Sequence, residues 1–315
     1  MDSAVIVFPG QGAQRAGMGK DFDEAWPESR AVYDEASEAL GLDLRALCFE
    51  DDPRLGLTEY TQPAILTTEI AMFRALQAHH GLQASHYGGH SLGEYTALVA
   101  AGVIPLVEAV RLVRERGRRM QAAVPAGEGV MAAVIRADLD PSALRAALGD
   151  LVMDVANHNA PDQVVISGAA AAYDEASARL LASPAGAGAR VRKLDVSAPF
   201  HSRLMAPIED GFRALLADSA ATWIPAQAGA VVSNYTGTFH APQADAVIDA
   251  LTRQISGGVR WVDNMRALLA LQPTRVLEVG PNRPLRGFFR ALDVDVEAIF
   301  NTTTANRVLG ASAGG

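Results

Sequence analysis

The sequence predicts an α/β protein whose parallel sheet carries a smaller inserted unit, and three observations predict it. First, the apolar run "SAVIVF" (3–8) ends in the glycine-rich turn "PGQGAQ" and is followed by helix-period segments. Second, a serine between glycines, Gly89-His90-Ser91-Leu92-Gly93, stands directly ahead of a further helical pattern. Third, from residue 128 the rhythm changes to strand, helix, strand, strand, helix, strand, which is the ferredoxin-like βαββαβ order.

Each element has a local reason. After the first strand, "FDEAWPESRAVYDEASEAL" reads as one helix stopped by Gly41. "TQPAILTTEIAMFRALQAHHG" reads as the next, with Thr61 as N-cap, Pro63 in the first turn and Gly81 as the stop. "QASHYGG" has weak strand propensity and is assigned a strand only because the G-x-S-x-G motif requires one. A helix runs from Ser91 to about Ala101, and Pro105 opens another through "LVEAVRLVRERGRRMQAAV".

The inserted unit comprises strand "GVMAAVIR", helix "DPSALRAALG", strands "VMDVAN" and "QVVISG", helix "AAYDEASARLLA" and strand "ARVRKLDVS". It is expected to form a small subdomain over 128–198, leaving 1–127 and 199–315 as the large domain. "ASPAGAGA" (182–189) reads as a mobile loop. Beyond it come helix "RLMAPIEDGFRALLAD", strand "GAVVSN", helices "ADAVIDALTRQIS" and "WVDNMRALLAL", and strand "TRVLEVG".

Composition excludes several classes. With 315 residues, 49% of them hydrophobic, the chain can bury a large core. A single cysteine, Cys48, cannot form an internal disulfide; it reads as a buried small hydrophobe in a reducing, cytoplasmic setting. The N-terminus lacks the features of a signal peptide, and no apolar run reaches the roughly 18 residues of a membrane span. A formal net charge of −9 argues against nucleic acid as a partner, but it allows a local basic patch. No metal-ligand spacing appears. Because the chain starts close to its first strand and ends soon after its last, a free-standing enzyme is expected, and a monomer is expected as well.

Ser91 is the candidate nucleophile. Gly89 and Gly93 let a crowded strand-to-helix turn form, and the helix N-terminus turns backbone N–H groups toward the serine. The N–H of Leu92 is one candidate oxyanion donor, and Gln11 in "PGQGAQ" supplies the second. That turn is not a dinucleotide fingerprint, since Arg15 occupies the third glycine position, and "GMGKD" is not a Walker loop, since Gln14 replaces its first glycine. Of seven histidines, His201 is the best base: it follows a predicted strand, Pro199 fixes its approach, and it comes after the serine. His79, His80 and His240 are expected to be solvated, His86 and His158 to be structural hydrogen-bonders, and His90 to point away from Ser91 on the tight turn.

Four segments, "FPGQGAQ", "TQPA" (61–64), "GHSLGEYTAL" and "VSAPFHSRLM", together resemble the malonyl-CoA:acyl carrier protein transacylases and the acyltransferase domains of polyketide synthases. "RERGRRMQ", "NAPDQVVISG", "RQISGGVRW" and "LEVGP" add to the resemblance, in the family's order, from about residue 6 to 290. It implies an α/β-hydrolase-like core with a ferredoxin-like subdomain closing over the site. It also implies Ser91 as acylated nucleophile, His201 as base, and Gln11 and Leu92 as oxyanion donors. Arg116, one of five arginines on a basic helix, would pair with the malonyl carboxylate. Gln254 would orient the histidine, Gln62 would line the pocket, and His90 and Phe200 complete the expected substrate-contacting set. The implied substrate is malonyl-CoA and the implied partner an acyl carrier protein bearing phosphopantetheine, with no bound cofactor.

Two alternatives stand beside this reading. A serine hydrolase should offer an acid between Ser91 and His201, where Asp138, Asp140, Asp154, Asp174 and Asp195 lie, none in a recognisable acid-loop motif. A non-catalytic docking protein is disfavoured by the intact Ser91, His201 and Arg116. "LRALCFEDDPRLGLTEYTQPA" and "APFHS" resemble discrete acyltransferases serving polyketide synthases, so polyketide extension is expected ahead of fatty acid synthesis. Leu92 after the serine and Phe200 before the histidine resemble the malonyl-selective pattern. Arg190, Arg192, Lys193, Arg283, Arg286 and Arg290 are candidates for the basic surface an anionic carrier requires.

Overall fold

The computed structural model describes residues 4–196 and 198–310. Residue 3 of the predicted first strand and Ser197, near the predicted end of the subdomain, lie outside the described residues. β1 (Ala4–Phe8) is buried along its whole length, as expected of a strand covered on both faces.

The single helix expected next is two, α1 (Lys20–Ala25) and α2 (Pro27–Leu40). They break at Trp26, which is extended at φ −132° and ψ 132° because Pro27 excludes the helical conformation from the residue before it. A short α3 (Leu44–Phe49), not anticipated, is capped by the Asp43 side chain, and Cys48 on it is fully buried. α4 (Thr58–His80) starts earlier than expected. Thr61 is inside it and donates its hydroxyl to Leu55 O at 2.6 Å instead of capping, while Gly81 ends the helix at φ 62°.

β2 (His86–Gly89), α5 (Gly93–Ala100) and α6 (Leu106–Ala122) follow. The insert consists of β3 (Gly129–Ile135), α7 (Pro141–Leu148), β4 (Met153–Ala160), β5 (Gln163–Ala169), α8 (Tyr173–Ala182) and β6 (Arg190–Lys193). Its antiparallel sheet has the order β4-β5-β3-β6, the ferredoxin-like arrangement, and packs Val134, Val164 and Ile166 against Leu144 and Leu180 of its two helices. The segment expected to be a mobile loop is a loop of successive turns, to which Arg136 Nη1 donates at Pro184 O and Ala187 O.

α9 (Glu209–Ser219), α10 (Ala244–Arg253), α11 (Trp261–Leu269), β7 (Arg275–Val279), α12 (Leu285–Arg290), β8 (Glu297–Ile299) and α13 (Thr302–Leu309) complete the fold. The parallel sheet has the order β2-β1-β7-β8. The expected strand "GAVVSN" reduces to isolated bridges from Val231 to Tyr87 and from Val232 to Phe239. The chain turns at Ser233, whose N–H bonds Thr238 O at 2.7 Å, and the next residue is held by side chains instead of a ladder. The carboxyl ends of β1 and β2 lie side by side, the edge where open α/β sheets hold ligands. β4 of the insert is tied to the main body by two backbone hydrogen bonds, His158 N–H to Val259 O at 2.9 Å and Val259 N–H to Ala156 O at 2.8 Å.

Candidate active site

Ser91 is one of five non-glycine residues with positive φ among those described; at φ 53° its side chain is thrust out of the β2–α5 turn. The flanking glycines are needed for close approach. A Cβ on Gly89 would collide with the Gly93 carbonyl, and one on Gly93 with the Phe8 carbonyl of β1. The strained peptide is gripped at both ends: Ser91 N–H donates to Asn234 Oδ1 at 2.6 Å, and Ser91 O accepts from Gln254 Nε2 at 3.0 Å.

His201, also at positive φ (57°), brings Nε2 to 2.8 Å from Ser91 Oγ. Its Nδ1 is 2.7 Å from the backbone carbonyl of Gln254. A carbonyl only accepts, so the proton sits on Nδ1 and Nε2 is left with a lone pair facing the serine hydroxyl. Burial, then the positive charge of Arg116, pushes the His201 pKa down to about 3, against the partial support of the Gln254 carbonyl. The imidazole is therefore a neutral acceptor at ordinary pH. No carboxylate contacts it among the described residues. Asp140 caps α7, Asp154 pairs with Arg203, and Asp138, Asp174 and Asp195 are exposed.

Arg116, on α6, is 1% exposed. Its Nη1 donates to Gln62 Oε1 at 2.9 Å, and its Nη2 to Gln254 Oε1 at 2.8 Å and to Ser91 Oγ at 3.2 Å. Its face lies over the Tyr95 ring, 5.6 Å from the centroid. Every hydrogen-bond acceptor is neutral, and no carboxylate of the described residues lies within ion-pair distance. A buried guanidinium with no carboxylate in contact is costly unless an anion arrives; burial accordingly lowers its pKa, against the partial support of Tyr95 and of Glu94.

The sequence candidates converge on one cavity. Gln11, Gln62, His90, Ser91, Leu92, Arg116, Phe200 and His201 all line it, and Gln254 stands behind, bonded to Arg116 and His201. The backbone N–H groups of Gln11 and Leu92 have no hydrogen-bond acceptor among the described residues and so are available to a ligand. His90 points away from Ser91, its Nε2 2.8 Å from Asn159 Oδ1, yet its ring forms part of the wall. The insert contributes Met131, Asn157, Asn159, Val165 and Leu194 to the lining.

Two expectations about histidines need correction. His240 is not solvated but 4% exposed, with Nε2 2.8 Å from Glu94 Oε1; the loop composition that implied exposure says nothing of the carboxylate α5 presents to it. His79 and His80 are half-buried, His79 against Glu28 and the Trp26 ring. Nor do His86 and His158 act as side-chain bonders: His86 Nδ1 and His158 Nε2 are buried without a partner among the described residues. Sequence reasoning missed Asn234, Glu94 and His240. Glu94 was inside the quoted motif "GHSLGEYTAL", but only the fold shows what it touches.

The basic candidates divide. Arg190, Arg192 and Lys193 are exposed on β6, next to Leu194 and Val196 of the cavity, and Arg283 is exposed beside the cavity residues Pro284 and Leu285. Arg290 is exposed as well, whereas Arg286 is drawn into an ion pair with Asp295 at 3.1 Å.

Residues 5–285 match the acyl transferase domain family. A malonyl CoA-acyl carrier protein transacylase of Escherichia coli O157:H7 is 40% identical over 296 residues, 93% of each chain. Among solved structures, a malonyl-CoA:acyl carrier protein transacylase from Xanthomonas oryzae pv. oryzae superposes with TM-score 0.89 at 39% identity, covering 98% of both chains. A malonyl-transacylase in complex with a type II polyketide synthase acyl-carrier protein superposes with TM-score 0.87 at 35% identity, covering 98% of this chain and 99% of that one.

Proposed function

The chain belongs to the malonyl CoA-acyl carrier protein transacylase family of acyltransferases, and on that premise we propose that it passes a malonyl group from malonyl-CoA to the phosphopantetheine thiol of an acyl carrier protein through a malonyl-serine at Ser91. The observation that carries this reading is the buried Arg116, without a carboxylate partner, whose Nη2 lies 3.2 Å from Ser91 Oγ.

In the first half-reaction, His201 Nε2 takes the Ser91 proton as Oγ attacks the thioester carbonyl. The oxygen that becomes negative is stabilised by the Gln11 and Leu92 N–H groups. The C–S bond breaks, and CoA leaves as the thiol with the proton returned by His201. In the second half-reaction the carrier thiol gives its proton to His201 and attacks the acyl-serine, and Ser91 is regenerated. Throughout, the substrate carboxylate lies on Arg116, which Gln62 and Gln254 hold in place. The Gln254 backbone carbonyl fixes the His201 tautomer, a role an aspartate plays in hydrolases. Mixing the protein with malonyl-CoA and following its intact mass tests this reading: a stable malonyl adduct supports it, and free malonate without an adduct would make the protein a hydrolase.

The destination we assign is polyketide extension in the cytoplasm, supported by the resemblance of the 44–64 and 198–202 segments to discrete acyltransferases. Side-by-side transfer to purified polyketide and fatty-acid carrier proteins decides it. We further divide the chain into a large domain, 1–127 and 199–315, and a small one, 128–198, in support of which all four strands of the antiparallel sheet fall between Gly129 and Lys193. A monomer is in keeping with exposed large apolar side chains that are few and scattered.

A further inference from the structure

Behind the Ser91 turn lies a carboxylate that touches none of the reacting groups. Glu94, in the first turn of α5, is fully buried, and each of its oxygens has partners. Oε2 accepts from the backbone N–H of Asn234 at 3.0 Å and from Gln254 Nε2 at 2.7 Å. Oε1 meets His240 Nε2 at 2.8 Å. These partners are the same two residues that hold the Ser91 peptide, Asn234 through its Oδ1 and Gln254 through its Nε2. Gln254 also carries the carbonyl that orients His201 and the amide oxygen that holds Arg116. Asn234 is braced on its other side by Gly89 O and Asn264 Oδ1. One carboxylate thus connects nucleophile, base and cation, although it touches none of the three side chains.

We infer that Glu94, backed by His240, is a positioning residue that fixes the strained Ser91 turn and the Gln254 amide together, so that Ser91 Oγ, His201 Nε2 and Arg116 share one frame. This rests on the reading of Ser91 as the acylated nucleophile. The physical reason is that a side-chain amide such as Gln254 has several low-energy rotamers, and only an acceptor at a fixed place selects the one that serves three partners at once. A displacement of the reacting atoms by about 1 Å is enough to cost on the order of 10²-fold in rate.

The test measures single-turnover acylation by malonyl-CoA and by acetyl-CoA, which has no carboxylate, with near-UV circular dichroism on each variant. Glu94→Asp keeps the charge but withdraws the acceptor by one methylene. It is expected to slow acylation by both donors at least about tenfold with little change in half-saturating donor concentration, because alignment and not donor binding is lost. Glu94→Gln can present its amide oxygen to Asn234 and Gln254 and its NH2 to the other tautomer of His240, and is expected to stay within a few-fold of wild type. A purely structural Glu94 would lower melting temperature in both variants and leave the acylation rate of the folded protein unchanged. That result for Glu94→Asp overturns the inference, as does a loss confined to malonyl-CoA. If Glu94→Asp does not fold, Glu94→Gln and His240→Leu decide: a His240→Leu protein slowed with both donors, while Glu94→Gln stays within a few-fold of wild type, supports the inference, and a wild-type rate in His240→Leu overturns it. Wild-type protein that takes no malonyl group fails earlier, and that failure belongs to the assignment of Ser91.

Discussion

Arg116 Nη2 donates to Ser91 Oγ at 3.2 Å, so the residue that would hold the substrate's far end already touches the atom that attacks its near end. In the free enzyme the hydroxyl and two glutamine carbonyls occupy a guanidinium that a carboxylate would satisfy better. A malonyl group can engage both ends within one cavity.

Arg116→Ala should therefore weaken malonyl transfer selectively. Loss of the charge-assisted pair is expected to cost on the order of 2–4 kcal/mol in kcat/KM for malonyl-CoA. Acetyl-CoA offers no carboxylate and should lose little. Parallel loss for both donors, measured by steady-state kinetics, would make Arg116 structural.

The pH dependence follows from His201. Its pKa is lowered from 6.5 to about 3 by burial and by Arg116, so the neutral base persists as pH falls. kcat/KM should be nearly flat between pH 7.5 and 5, where a histidine at its ordinary pKa would lose about thirtyfold. Removing Arg116 removes a cause of the lowering, so the acid limb of Arg116→Ala should move to higher pH. The same shift sets a stability trend. The unfolded chain takes up this proton near 6.5 and the folded one only near 3, so the contribution is intact above pH 6.5 and declines toward 3. A wild-type limb near 6.5 would show that His201 is solvated in solution.

Phe200 lines the cavity directly before His201 and is 8% exposed. An α-methyl branch on the acyl group must compete with that ring, and a well-packed wall resists an added methyl by about 1–3 kcal/mol. Malonyl-CoA should be strongly preferred over methylmalonyl-CoA, and Phe200→Ser should narrow the gap without reversing it. Comparable wild-type rates with the two donors would remove the specificity role.

Much of this site was legible in the sequence, and its limits have physical causes. Ser91, Gln11 and Leu92 sit in short segments whose chemistry is local: a glycine-flanked turn, a strand end, a helix N-terminus; His201 was expected directly after a strand over 189–197, whereas β6 ends at Lys193. Arg116 was one of five arginines on its helix and was singled out by the resemblance, although its spacing from Ala109, Val113 and Met120 is what puts it, alone of the five, on the buried face. Glu94, Asn234 and His240 interact across 140 to 146 residues of chain, a relation that periodicity does not contain. The break at Trp26 was signalled by Pro27. By contrast, nothing local in "GAVVSN" announces that it forms only two bridges and that Asn234 beyond them bonds the Ser91 turn, 143 residues away.

Carrier docking should be electrostatic. The chain is acidic overall at −9, yet Arg190, Arg192, Lys193 and Arg283 are exposed beside the cavity. Transfer to the carrier should weaken steeply with added salt while acylation by malonyl-CoA weakens less. Reversing Arg192 and Arg283 to Glu should raise KM for the carrier and spare self-acylation. Equal salt dependence of the two half-reactions would refute this surface.

The central claim is that Ser91 carries the malonyl group between donor and carrier, and intact-mass measurement tests it most directly. After mixing with malonyl-CoA, wild-type protein should gain the mass of one malonyl group, mapped to the peptide containing Ser91, and lose it on addition of a phosphopantetheine-bearing carrier. Folded Ser91→Ala protein should gain nothing. An adduct that survives Ser91→Ala, or transfer to the carrier with no adduct in wild type, would contradict the assignment.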